Sequence, residues 1–153
     1  MEIKLYDEQN GKQEISVEEL TKLAPLHVDL DERVPGAEGK AFDLKAWYRA
    51  WRNERGVPSA AVEPTHMTVE AADEFRATIP WNQLDQAVFL YEQNGSSLEK
   101  GYPIRLYVPD GSSECLNVKS VIHIHFGYHE VPEKAAYGFK NQVSVEELKL
   151  RKL

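Results

Sequence analysis

The sequence predicts an α+β fold built as a single domain, and three observations carry that expectation. The chain has 153 residues, the size of one ordinary domain. The stretches 16–20 and 144–148 both read Ser-Val-Glu-Glu-Leu, which is a helix-start signal. Between them lie six or seven short apolar runs bounded by Gly, Pro, Asn and Asp, which is how short strands and turns are written.

Taken in order, Ile3 to Tyr6 reads as a strand, and Asn10-Gly11 as a turn. Ser16 accepts from the Glu19 amide while Glu19 reaches back, and Ile15 and Leu20 stand at the staple positions of the same helix start. That helix runs to about Leu23, where Pro25 stops it. His27 to Leu30 reads as a strand and Asp31 to Lys40 as a loop. Asp43 caps the next helix, whose Leu44, Trp47, Tyr48 and Trp51 recur at i, i+3, i+4 and i+7 and form one apolar face. Core packing is the plain role of those tryptophans. Gly56 and Pro58 end the helix.

Thr65 to Val69 and Phe75 to Ile79 read as a hairpin, Pro80 to Leu84 as a helical turn, and Val88 to Tyr91 as a buried strand. Asn94-Gly95 is a turn because both residues tolerate positive φ. Ile104 to Val108 is a strand closed by Pro109-Asp110-Gly111. Toward Phe126 a strand alternates Val121, His123 and His125 against Ile122, Ile124 and Phe126. After Gly127 a C-terminal extension is expected to carry a last helix from Ser144.

Hydrophobic residues are 42% and charged residues 28% of the chain, so an ordinary core is available. A domain of this length buries roughly 70% of its unfolded surface and needs no disulfide or structural metal. The net charge of −7 and the lack of a basic stripe argue against a nucleic-acid partner. No apolar run approaches the about 18 residues of a membrane span. Met1 to Tyr6 has no signal-peptide pattern, and Cys115 is the single cysteine. A cytoplasmic protein is the expectation. Oligomeric state is left open.

No G-x-S-x-G, P-loop or G-x-G-x-x-G occurs, and no catalytic residue is assigned. His123 and His125 project from one strand face, and with His129 and Glu130 they invite a zinc or copper reading. A solvated sheet face is the plainer one, and no metal site is assigned. Glu114 beside Cys115 disfavours a thiolate.

Residues 88–109, from Val88-Phe89-Leu90-Tyr91 through Asn94-Gly95 and Leu98 to Gly101-Tyr102-Pro103-Ile104-Arg105-Leu106, are followed by Val118-Lys119-Ser120. In this order and spacing they resemble the signature of the sulfite oxidase family, oxidoreductases with a molybdopterin-binding domain. The likeness covers about residues 15–126. It implies a single mixed-sheet domain of the sulfite-oxidase molybdopterin-binding type. It also implies that Arg105 and Lys119, with Lys100 nearby, sit where family members contact the cofactor. A guanidinium grips a phosphate bidentately and an ammonium acts as a point charge. The plainer alternative pairs Arg105 with a carboxylate and leaves Lys119 solvated.

The chain departs from the family where the metal is held. Family members ligate molybdenum through a cysteine in the loop that matches 27–36, and no cysteine stands there. The loop is shorter, and Lys100 replaces a usual histidine. A thiolate is a soft ligand that neither aspartate nor arginine replaces. The expectation is therefore that no cofactor is bound, molybdopterin being the one the resemblance names. A catalytically degenerate module that binds a pterin or another small anion, or serves as a scaffold, is favoured. The alternative is a molybdopterin-dependent oxidoreductase acting on sulfite or a sulfoxide.

Overall fold

The computed structural model describes residues 2–129 and 134–139. The helix start at 144–148 and the helix expected after it lie outside them. The fold is mixed α+β, with most of the described residues in two sheets and two short helices.

The chain opens as a hairpin of β1 (Glu2–Asp7) and β2 (Gly11–Ser16). Helix α1 (Val17–Leu23) follows at once. The expected capping box is present: the Glu19 amide donates to Ser16 Oγ at 3.1 Å, and the Ser16 amide to Glu19 Oε1 at 3.4 Å. The staple residues Ile15 and Leu20 are both buried. After β3 (His27–Asp29) a single 3-10 turn leads into a loop and then β4 (Lys40–Asp43). Asp43 then caps α2 (Leu44–Glu54), accepting from the Ala46 amide at 2.9 Å.

The expected hairpin is β5 (His66–Ala71) with β6 (Phe75–Pro80). Next come β7 (Val88–Gln93), β8 (Ser96–Ser97) and β9 (Arg105–Tyr107). The strands β10 (Val121–Gly127) and β11 (Ala136–Phe139) complete the described chain. Asn94 and Gly95 both take positive φ, at 53° and 78°, in the β7–β8 turn. Of the extension after Gly127, residues Ala136–Phe139 return to the larger sheet as β11, paired with β6.

Six strands form one sheet in the order β11-β6-β5-β10-β1-β2, with β1 and β10 parallel and the other neighbours antiparallel. The smaller sheet runs β3-β4-β7, and β7 pairs with β8 through its end and with β9 through its start. Helix α2 and one face of the smaller sheet close on one face of the larger. Leu44, Trp47, Tyr48 and Trp51 are buried there with Phe42, Phe89, Leu106 and Phe126. The Trp47 ring lies 6.1–6.4 Å from those of Phe126, Phe42, Phe89 and Trp51. The amphipathic face read from the sequence is this core contact.

One strand departs from simple alternation. Residues Ile122 and His123 together oppose Glu70, because the β10–β5 register shifts between Val121 and His123. This bulge turns Val121 into the core with Ile124 and Phe126, while His123 and His125 stay on the outer face. Val121 does not share their face, contrary to the alternation expected.

The far face of the smaller sheet has its own apolar cover. Leu30 packs with Ala41, Val88, Leu90 and Leu98, and Val34, Ala37 and Tyr107 border them. Gly39 closes this loop at φ +133°, where a Cβ would meet Leu90 Cδ1 at 2.5 Å and the Glu92 carbonyl at 2.6 Å. Gly39→Ala is expected to destabilise the domain by about 2–3 kcal/mol through backbone strain and overpacking, read as a lower urea midpoint with unchanged slope.

Candidate functional site

Arg105 and Lys119 come together although they stand fourteen positions apart in the chain. The segment 101–106 runs beside 118–121: Leu106 N donates to Val118 O at 2.8 Å, Ser120 N to Gly101 O at 3.1 Å, and Val121 N to Ile104 O at 3.0 Å. Gly101 sits at the meeting point with φ +86°. A Cβ there would stand 3.7 Å from both Arg105 Cβ and Lys119 Cβ, and 3.5 Å from Arg105 Cδ. Ser120 also takes positive φ, at 53°, directly after Lys119. Lys100 precedes Gly101 and is exposed.

The local chemistry is cationic. Among the described residues, neither Arg105, Lys119 nor Lys100 has a side-chain hydrogen bond or an ion pair with a carboxylate. Arg105 Nε is shielded from solvent and still has no acceptor among the described residues. The guanidinium carbon stands 4.9 Å from the Tyr107 ring centroid, a contact that holds the planar group without neutralising it. Other arginines differ. Arg33 is bound to Asp43 at 2.9 Å, and Arg49 grips Glu63 at 2.7 and 3.0 Å.

The residues do not fit molybdenum ligation. The loop between β3 and β4 directs Leu30, Val34 and Ala37 onto the smaller sheet, and these side chains offer only carbon. Cys115 is exposed in the turn Glu114–Leu116. That turn packs by Leu116 against Gly111, near Val108 and past the far end of β9 from Gly101.

His123 and His125 share the outer sheet face but attend different carboxylates. His123 Nε2 is 3.9 Å from Glu70 Oε2, and His125 Nε2 is 3.4 Å from Glu8 Oε2. Among the described residues no three His, Cys, Asp or Glu side chains are placed to hold a metal ion; Glu130 lies outside them. No helix among the described residues is long and apolar enough to cross a membrane.

A buried polar node escapes sequence reasoning. Asp7 is 1% exposed. Its Oδ2 accepts from the hydroxyls of Tyr48 at 2.6 Å and Tyr128 at 2.8 Å, and its Oδ1 from the amides of Gln9 and Asn10. Tyr48 and Tyr128 also touch each other at 2.6 Å. Burial pushes both phenols far above their ordinary value, and the bonds to Asp7 add to it. Burial, with the Glu92 charge, raises Tyr91 as well.

A raised phenol contributes stability that is complete below its unfolded value near about 10 and is lost above it, because the unfolded chain ionises first. Of the seven tyrosines, Tyr48, Tyr91 and Tyr128 are expected to stay protonated past that pH. Their phenolate absorbance should then emerge together with alkaline unfolding; a titration of all seven near the ordinary value in folded protein would contradict this.

Compared with known proteins, the chain matches no family model and no curated protein.

Proposed function

We propose that this domain binds a small phosphorylated anion, a pterin phosphate among them, through Arg105 and Lys119, with Lys100 at the rim. In this reading the fold is a reduced form of the sulfite-oxidase molybdopterin-binding type, and molybdenum redox chemistry has been given up. One observation carries the proposal: the side chains of Arg105 and Lys119 leave the backbone side by side at Gly101, and among the described residues no carboxylate pairs with either. A shielded guanidinium nitrogen without an acceptor is costly unless something outside the chain supplies one. Phosphate oxygens meet that need, and arginine takes them with matched planar geometry. The loop side chains that turn onto the smaller sheet, Leu30, Val34 and Ala37, are apolar, and no thiolate stands among them, which supports the loss of the metal.

The test is calorimetric titration with pyrophosphate and with a pterin phosphate at low ionic strength, where exposed charges are least screened. Saturable binding of one anion per chain is expected. Protein made in a host that synthesises molybdopterin should carry no molybdenum. Stoichiometric molybdenum would restore the oxidoreductase reading, with sulfite or a sulfoxide as substrate class. No saturable binding of either anion would leave the domain a scaffold.

A further inference from the structure

The six-stranded sheet ends on β2, and among the described residues no strand pairs with its outer side. Alternate residues of β2 therefore turn their N–H and C=O groups away from β1, with no strand to receive them. Two concavities flank this edge. One of ≈ 510 Å³ lies on the helix side between Ile15, Leu23, Trp51 and Arg55, and one of ≈ 600 Å³ lies on the outer side beside Lys4, Tyr6 and Lys12. Hollows thus lie on both faces beside the edge, while Arg55 covers only its start at Asn10 and Gly11 on the helix side.

Charges usually guard such an edge against pairing. Here they select one pairing. Lys12 and Glu14 are exposed on the outer face, while Gln13 between them turns to the helix layer and accepts from Trp51 Nε1 at 2.9 Å. Consider two copies of β2 laid antiparallel about a twofold axis at Gln13. Lys12 then stands opposite the partner's Glu14, and Glu14 opposite the partner's Lys12. Sliding by two residues sets Lys12 against the partner's Lys12, or Glu14 against the partner's Glu14. Sliding by one puts the two helix layers on opposite faces. Only the first register is self-complementary, as a twofold interface requires.

We propose that β2 is the seam of a homodimer, in which two six-stranded sheets join through antiparallel β2 strands centred on Gln13. Within each copy Lys4 already opposes Glu14 and Tyr6 opposes Lys12. The outer face across the seam then reads Lys4, Glu14, the partner's Lys12, the partner's Tyr6, alternating in sign wherever charges are neighbours. Opposite charges directly across a sheet are favourable, and like charges are not. The seam lies on the larger sheet and is independent of the anion site on the smaller one.

Sedimentation velocity tests this with a charge swap. The wild-type chain is expected to associate as a dimer. Lys12→Glu and Glu14→Lys each create like-charge pairs twice over by symmetry, and each should weaken association by about tenfold or more. The triple swap Lys4→Glu/Lys12→Glu/Glu14→Lys restores opposite charges both across the seam and between β1 and β2, and should recover most of it. A wild-type chain that is monomeric throughout, or a triple swap as weak as the single variants, would overturn the proposal. Should a charge variant fail to fold, cross-linking decides. On a Cys115→Ser background, mixing the Lys12→Cys and Glu14→Cys proteins should give a mixed disulfide in preference to either homotypic one. Its absence rejects the register.

Discussion

Arg105→Ala is expected to weaken pyrophosphate binding by more than about tenfold, whereas Arg49→Ala leaves it within about twofold. Both residues are arginines, so the contrast isolates environment from charge. The Arg49 guanidinium is held in two bonds by Glu63, and that carboxylate sits below its ordinary pKa chiefly because of this hydrogen bond. Arg105 has no such partner among the described residues, and its Nε is shielded. Arg105→Lys keeps the positive charge but loses the fork, so it should fall between wild type and Arg105→Ala. Lys119→Ala removes a point charge and should lower affinity several-fold with a shallower salt dependence. Calorimetry across a salt series separates these cases. Equal losses in Arg49→Ala and Arg105→Ala would remove Arg105 from the site.

Asp7→Ala should be the most damaging single polar substitution, destabilising the domain by about 3–4 kcal/mol. The carboxylate receives four hydrogen bonds inside a node where it is almost wholly enclosed. Without it, the amides of Gln9 and Asn10 lose their side-chain acceptor. The two hydroxyls retain only each other, apart from the longer 3.3 Å bond from Asn10 Nδ2 to Tyr128. A loss of this size lowers Tm by roughly 10 °C for a chain of this length. A double-mutant cycle with Tyr48→Phe should show strong coupling, because each substitution removes the other's partner. Additive losses would mean that the node does not act as a unit.

Local signals were legible in the sequence where one turn of backbone decides the outcome. Ser16 and Glu19 form their reciprocal cap, Asp43 caps its helix, and Asn94-Gly95 turns with positive φ. Short strands with little apolar content were not legible. The run Gly11–Ser16 has Ile15 as its one large apolar residue, since an edge strand needs a single buried contact to dock. The strand Lys40–Asp43 hides between a turn-rich loop and a helix cap, and pairing with β7 makes it a strand. Strict alternation misplaced Val121 because a bulge is set by the partner strand as much as by the sequence that bulges. The neighbourhood of Arg105 and Lys119 follows from no spacing rule, because the two are joined by an irregular run of backbone bonds. The node of Asp7, Tyr48 and Tyr128 has no sequence signal, because its members come from three distant segments.

The parallel pairing of β1 with β10 sets residues 4–7 against 123–126. During synthesis β1 emerges well before β10 and can at first form only its hairpin with β2. Its second neighbour is among the last parts of the described chain to be made. N-terminal fragments that stop before Gly127 would keep one side of β1 bare, exposing a strand that the finished sheet encloses. Completion of this sheet is therefore a late closure between segments more than a hundred residues apart, a topology that slows folding through its long sequence separation and leaves the nascent chain prone to aggregation until that closure is made.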